Sequence, residues 1–161
     1  MPAPTHDSIE AILVREGGLV DDPHDKGGKT QFGISIKHHP EAWADGKVTA
    51  EEARQIFETK YINGPGLNQI DDPHLREQLA DWSVNSGPHV AIQGLQRVLT
   101  VTVDGILGPE TLGALARVDT RHVNNMVVAE RIRMFCRIVK RDPTQVRFLL
   151  GWANRAMEWL L

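Results

Sequence analysis

The chain has one cysteine, Cys136, in 161 residues, so no intramolecular disulfide can staple it. No His-bearing motif accompanies Cys136. A buried structural thiol on a helix is therefore expected rather than a nucleophile. The seven histidines include no H-E-x-x-H, and no cysteine pair exists, which disfavours a zinc amidase and leaves no metal site or cofactor to expect. No uncharged apolar run is long enough to span a membrane. The start, Met-Pro-Ala-Pro-Thr-His-Asp, lacks the basic and apolar regions of a secretory leader, so no signal peptide is expected. Low-complexity segments, repeats and linkers are also missing. A net charge of −3 argues against a dedicated nucleic-acid binder.

What remains describes an ordinary globule. Apolar residues make up 41% and charged residues 24% of a chain able to bury a substantial core. One domain spanning 1–161, acting as a monomer, is expected. The charge is uneven. Residues 115–161 carry nine Lys/Arg against four Asp/Glu, whereas residues 1–114 carry nine against seventeen. The basic stretch reads either as a solvated helix face or as a surface for an acidic polymer.

The pattern is mostly helical. Asp7 can cap a first helix carrying Ile9, Ile12 and Leu13, and Gly17-Gly18 stop it. Residues 19–36 are rich in Gly, Asp and Pro and end in a β-prone stretch, which predicts a small irregular hairpin. Thr49-Ala50-Glu51-Glu52 is a capping box for a helix over about 50–61. Asp72-Pro73, Pro88, Gly108-Pro109, Asp119 and Asp142-Pro143 open further helices. They run to about 87, 99, 116 and 139, with Gly151 a place for the last to bend. Val128, Ile132, Phe135 and Val139 share one face of the longest.

The most informative segment is Glu16-Gly17-Gly18-Leu19-Val20-Asp21-Asp22-Pro23-His24-Asp25-Lys26-Gly27-Gly28-Lys29-Thr30-Gln31-Phe32-Gly33-Ile34. Glu16 falls on a last helical turn, beside the negative end of the dipole, which disfavours its carboxylate and raises its pKa. A carboxylic acid still protonated near neutral pH can protonate a leaving sugar oxygen. A second carboxylate nearby completes a glycosidase pair.

This segment resembles the signature of glycoside hydrolase family 108, a family of muramidases common among phage endolysins. It departs at Leu19, where the family usually has tyrosine. Asp81-Trp82-Ser83-Val84-Asn85-Ser86-Gly87 resembles a further family segment. Leu95–Leu99 and Val103–Leu112 resemble its peptidoglycan-binding part, about 88–161, and Gly151-Trp152-Ala153-Asn154-Arg155 resembles its closing motif.

The resemblance implies an α+β, predominantly helical, lysozyme-like fold and hydrolysis of the β-1,4 bond between N-acetylmuramic acid and N-acetylglucosamine. It casts Glu16 as general acid, Asp25 as second carboxylate and Thr30 as a water-orienting hydroxyl. Asp22 is a rival to Asp25, and each has a plain turn role. Gln31, Tyr61, Asn85 and Asn154 are candidates for hydrogen bonds to the glycan, or are turn and cap residues. The partner is bacterial peptidoglycan. The family further implies an enzyme kept in the host cytoplasm until a holin opens the membrane, then acting in the periplasm on the wall. Asp104-Gly105 with Gly108–Thr111 is expected to be a structural turn rather than a separate binding site. The apolar C-terminus, Phe148–Leu161, reads as a core-closing helix or as a weak membrane contact. A lytic transglycosylase, a non-catalytic wall-binding module and a chitinase or chitosanase are the alternatives.

Overall fold

The computed structural model describes residues 13–14, 17–19, 21 and 28–161. Its contacts cluster into two compact units, Met1–Lys60 and Tyr61–Leu161.

In the first unit, Leu13 and Val14 are helical. Gly17 donates to the Leu13 carbonyl at 3.2 Å with φ at 77°, the left-handed cap that ends a helix where the Gly-Gly pair predicts. The predicted hairpin is small. Strand β1 (Thr30–Gln31) pairs antiparallel with β2 (Ile34–Ser35), Gln31 opposite Ile34. Phe32 and Gly33 form the two-residue turn, at φ 51° and 74°. Positive φ at both turn positions matches the twist of a tight hairpin and is costly for phenylalanine.

A 3₁₀ turn, Pro40–Trp43, follows. Buried Trp43 donates its indole N–H to the Ile34 carbonyl at 3.3 Å, which seats the turn against β2. Helix α1 (Ala50–Phe57) starts at the capping box read from sequence. The Thr49 hydroxyl accepts from Glu52 N at 3.2 Å, and the Glu52 carboxylate accepts from Thr49 N at 2.8 Å. It buries Ala53 and Phe57, then widens into a π-helical turn, Glu58–Asn63, so the α-helix proper ends four residues short of Tyr61.

The second unit is all helical: α2 (Pro73–Ser86), α3 (Pro88–Leu99), α4 (Pro109–Leu115), α5 (Thr120–Arg141) and α6 (Val146–Met157). Asp72 caps α2 through Leu75 N at 2.9 Å and accepts from the Thr120 hydroxyl at 2.8 Å, so one carboxylate registers α2 against the start of α5. Leu75, Leu79 and Trp82 of α2 are buried with Ala91, Ile92 and Leu95 of α3. Gly94 makes the close approach possible. A Cβ there would stand 2.1 Å from Cη2 of Trp82. Helix α6 closes a small core, with Trp152 against Phe135 at 5.3 Å and Phe148 at 5.7 Å between ring centroids. Asn124 and His74 both reach the Trp159 carbonyl, at 2.7 and 2.9 Å.

The predominantly helical α+β, lysozyme-like class is borne out. Two details differ from the sequence reading. Cys136 is exposed, because the buried face of α5 is set by Val128, Arg131 and Phe135 and the next residue turns about 100° away. Helix α6 runs unbroken through Gly151, since one glycine lowers helix propensity without ending a packed helix.

Candidate functional site

Glu16 and Asp25 lie outside the described residues, as does Asp22. Their immediate frame is described. Gly17, the residue after Glu16, accepts at its carbonyl from Phe32 N at 3.1 Å. The helix end is thereby fastened to the hairpin turn, two residues beyond Thr30. The strained φ of Phe32 sits at this joint, where a specific hydrogen bond helps to hold it.

Thr30 is half-buried on β1. Its hydroxyl donates to the Gly28 carbonyl at a long 3.4 Å, leaving the oxygen lone pairs open to accept. Gln31 is its neighbour in sequence, but alternation along β1 sends the two side chains to opposite faces. The Gln31 side-chain carbonyl accepts from Val48 N at 2.9 Å, tying the hairpin to the residue before the capping box. In the same unit, a cleft of about 510 Å³ opens between the 3₁₀ turn and α1. Glu41 and Glu52 give it an acidic lining, with His39, Gln55 and Lys60. The Glu41 carboxyl is held below the usual range by its own backbone N–H, against slight burial, with help from His39 at 3.2 Å.

The other candidates belong to the second unit. Tyr61 is half-buried in the π-helical turn. Asn85 is exposed near the end of α2, and Asn154 is exposed on α6. Each neighbours a buried ion cluster. Asp81, one turn before Asn85, accepts from Arg155 at 2.8 and 3.1 Å, and pairs with Arg131 at 2.8 Å. Its side chain is 1% exposed and that of Arg131 is 0%. Burial opposes ionisation of Asp81, but the Arg155 hydrogen bonds and the charges of both arginines outweigh it, so its carboxyl stays below the usual range. The cluster clamps α2, α5 and α6 at one point, so the D-x-x-V-N-S-G and G-W-x-N-R segments meet there through Asp81 and Arg155.

The Asp104–Thr111 segment is a hydrogen-bonded turn built around Gln96. The buried Gln96 amide nitrogen lies 2.7 Å from Asp104, 3.0 Å from the Ile106 carbonyl and 3.1 Å from the Thr111 hydroxyl, and its oxygen accepts from Gly105 N at 2.8 Å. Gly105 has φ 74°, and a Cβ there would meet the His89 ring at 2.1 Å. Among the described residues no group of three His, Cys, Asp or Glu is placed to hold a metal, and no helix is long and apolar enough to cross a membrane.

Residues 9–87 match the family model for glycosyl hydrolase 108. Residues 90–157 match the model for a predicted peptidoglycan domain. The glycosyl hydrolase 108 model thus accounts for the first part of the chain and the predicted peptidoglycan model for the second. The chain is a lysozyme-like glycoside hydrolase acting on peptidoglycan. A solved structure described as "Structure of Brucella abortus SagA" is similar at 27% identity and a TM-score of 0.75, covering 95% of this chain and 89% of the other. No curated protein matches the chain significantly.

Sequence reasoning missed the polar groups buried in the second unit, Gln96, Asn124, Glu130 and Arg131. It also missed a cationic cleft beside Asn85. The uneven charge distribution was the available signal for the cleft, since Arg133, Arg137 and Arg141 recur every four residues along α5.

Proposed function

We propose that the enzyme is an endolysin-type muramidase cutting the β-1,4 bond between N-acetylmuramic acid and N-acetylglucosamine. Glu16 protonates the glycosidic oxygen, Asp25 stabilises the developing sugar cation or activates water, and Thr30 orients that water. The observation that carries this reading is the joint between Gly17 and Phe32, which fastens the residue after Glu16 to the hairpin bearing Thr30. An acid at a helix end and a water-orienting hydroxyl must be held in fixed relation for general acid catalysis, and this hydrogen bond supplies a fixed relation between their chain segments. The long Thr30 bond to Gly28 adds support, because the hydroxyl oxygen can still accept from a water. Gln31, Tyr61, Asn85 and Asn154 serve as glycan-contacting groups in this proposal, Gln31 through its amide nitrogen.

The test is digestion of purified peptidoglycan by wild type and by Glu16→Gln, with soluble products identified by mass spectrometry. Fragments ending in reducing N-acetylmuramic acid, absent for the variant, are expected. Fragments lighter by one water would make the enzyme a lytic transglycosylase and remove Asp25 and Thr30 from the chemistry. In the same proposal the enzyme waits in the host cytoplasm and reaches the wall after a holin opens the membrane. Expression with and without a holin checks this, and clearing of the culture without one would refute it.

A further inference from the structure

A cleft of about 460 Å³ lies in the second unit, where the end of α2 and the face of α3 meet the later turns of α5. Its walls include apolar Val90, Met134 and Ile138, the amides of Asn85 and Gln93, and the guanidinium groups of Arg97, Arg137 and Arg141. A second hollow, of about 360 Å³, continues along α5 and shares Met134, Arg137 and Arg141 while adding Lys140.

The cations are organised from beneath. Glu130 is buried, its side chain 9% exposed, and it draws three arginines together: Arg137 at 2.7 Å, Arg97 at 3.9 Å and Arg133 at 3.9 Å. Those arginines keep 51%, 44% and 60% of their own side-chain surface open. One carboxylate among Arg97, Arg133, Arg137, Lys140 and Arg141 leaves four positive charges uncancelled within this group. A buried anion that positions several guanidiniums lowers the entropy cost of forming further bonds with them.

We propose that this cleft binds the free carboxylates of peptidoglycan stem peptides, and so grips the peptide rather than the glycan. The inference rests on the reading that the chain acts on peptidoglycan. Stem peptides carry closely spaced carboxylates on a backbone of amides and short methyl side chains. Guanidiniums match carboxylates in planar two-bond geometry. The Asn85 and Gln93 amides match peptide groups, and Val90, Met134 and Ile138 match methyls. In this inference Asn85 contacts the peptide from the rim of the cleft in place of the glycan.

The test measures binding by the full-length chain, using titration calorimetry. The probes are an N-acetylmuramyl pentapeptide with free carboxylates, its amidated counterpart, and peptide-free N-acetylglucosamine oligomers. The free-acid peptide binds and the amidated peptide binds at least about tenfold more weakly, the factor that loss of one charge-assisted hydrogen bond confers. Lys140→Gln with Arg141→Gln, which leaves the Glu130 contacts intact, lowers affinity for the free acid by a similar factor. Arg117→Gln with Arg121→Gln, exposed residues of the same charge elsewhere in this unit, does not. Equal binding of the two peptides, or equal binding by the two double variants, overturns the proposal. So does loss of binding to anionic phospholipid vesicles with peptide affinity unchanged, which would make the cleft a lipid-phosphate surface. Wild-type digestion of intact walls is scored separately. Digestion without peptide binding refutes the cleft alone, and peptide binding without digestion refutes the hydrolase reading alone.

Discussion

Replacing Asp81 by asparagine keeps the shape of the side chain and removes its charge. Arg131 then stays fully buried and loses the Asp81 carboxylate 2.8 Å away, and Arg155 loses a two-bond partner. Breaking a buried pair from one side costs about 3–5 kcal/mol, because the remaining ion is neither solvated nor neutralised. Whole-domain stabilities are only about 5–15 kcal/mol. At about 2–4 °C per kcal/mol for a chain of this size, Tm falls by roughly 6–20 °C. Urea unfolding followed by far-ultraviolet circular dichroism measures the loss directly. Mutating Asp81→Leu, Arg131→Met and Arg155→Met together recovers much of it, since these three positions then carry no charge to desolvate. A loss below about 1 kcal/mol for Asp81→Asn would refute the account of a desolvated, mutually dependent cluster.

The same carboxyl fixes a pH dependence. Its folded pKa lies below the ordinary 3.8, so its stabilisation is complete above the unfolded value and is lost as pH falls through the folded one. Wild type therefore loses stability below about pH 4. The asparagine variant has a shallower slope there, and parallel acid-unfolding curves would contradict the assignment.

Gly94→Ala should destabilise by about 1–3 kcal/mol although alanine is the better helix former, because the new methyl overlaps Trp82; thermal unfolding shows the sign. Thr49→Ala removes the cap of α1 and costs about 1 kcal/mol in denaturant titration. Thr100 ends α3 at φ 56°, a poor conformation for a β-branched residue, so Thr100→Gly should stabilise by roughly 0.5–1 kcal/mol, readable as a rise in urea midpoint.

Local signals made most of the helices legible. Asp72-Pro73, Pro88, Gly108-Pro109 and Asp119 each mark a start within a residue or two, since caps and proline act through nearest neighbours. The Phe32-Gly33 turn was less legible, because phenylalanine is an unusual residue for positive φ and the Gly17 contact that helps hold it is fifteen residues away. The apolar stripe on α5 identified Val128 and Phe135 as core. It said nothing of Asn124, Glu130 and Arg131, which are buried only because Trp159, Arg137 and Asp81 come to meet them. Composition showed a basic C-terminal stretch without saying whether water surrounds it.

The sequence by itself determined most of the helix starts, the predominantly helical class and the residue types of a glycosidase site, because these are written in local spacing and in a signature contiguous along the chain. Only the tertiary structure decided that Asp81 and Arg155 are partners, that Gly94 lies beneath an indole, and that three arginines converge on Glu130. Each of those depends on elements distant in sequence coming within a few ångströms, where burial rather than residue type fixes the energy.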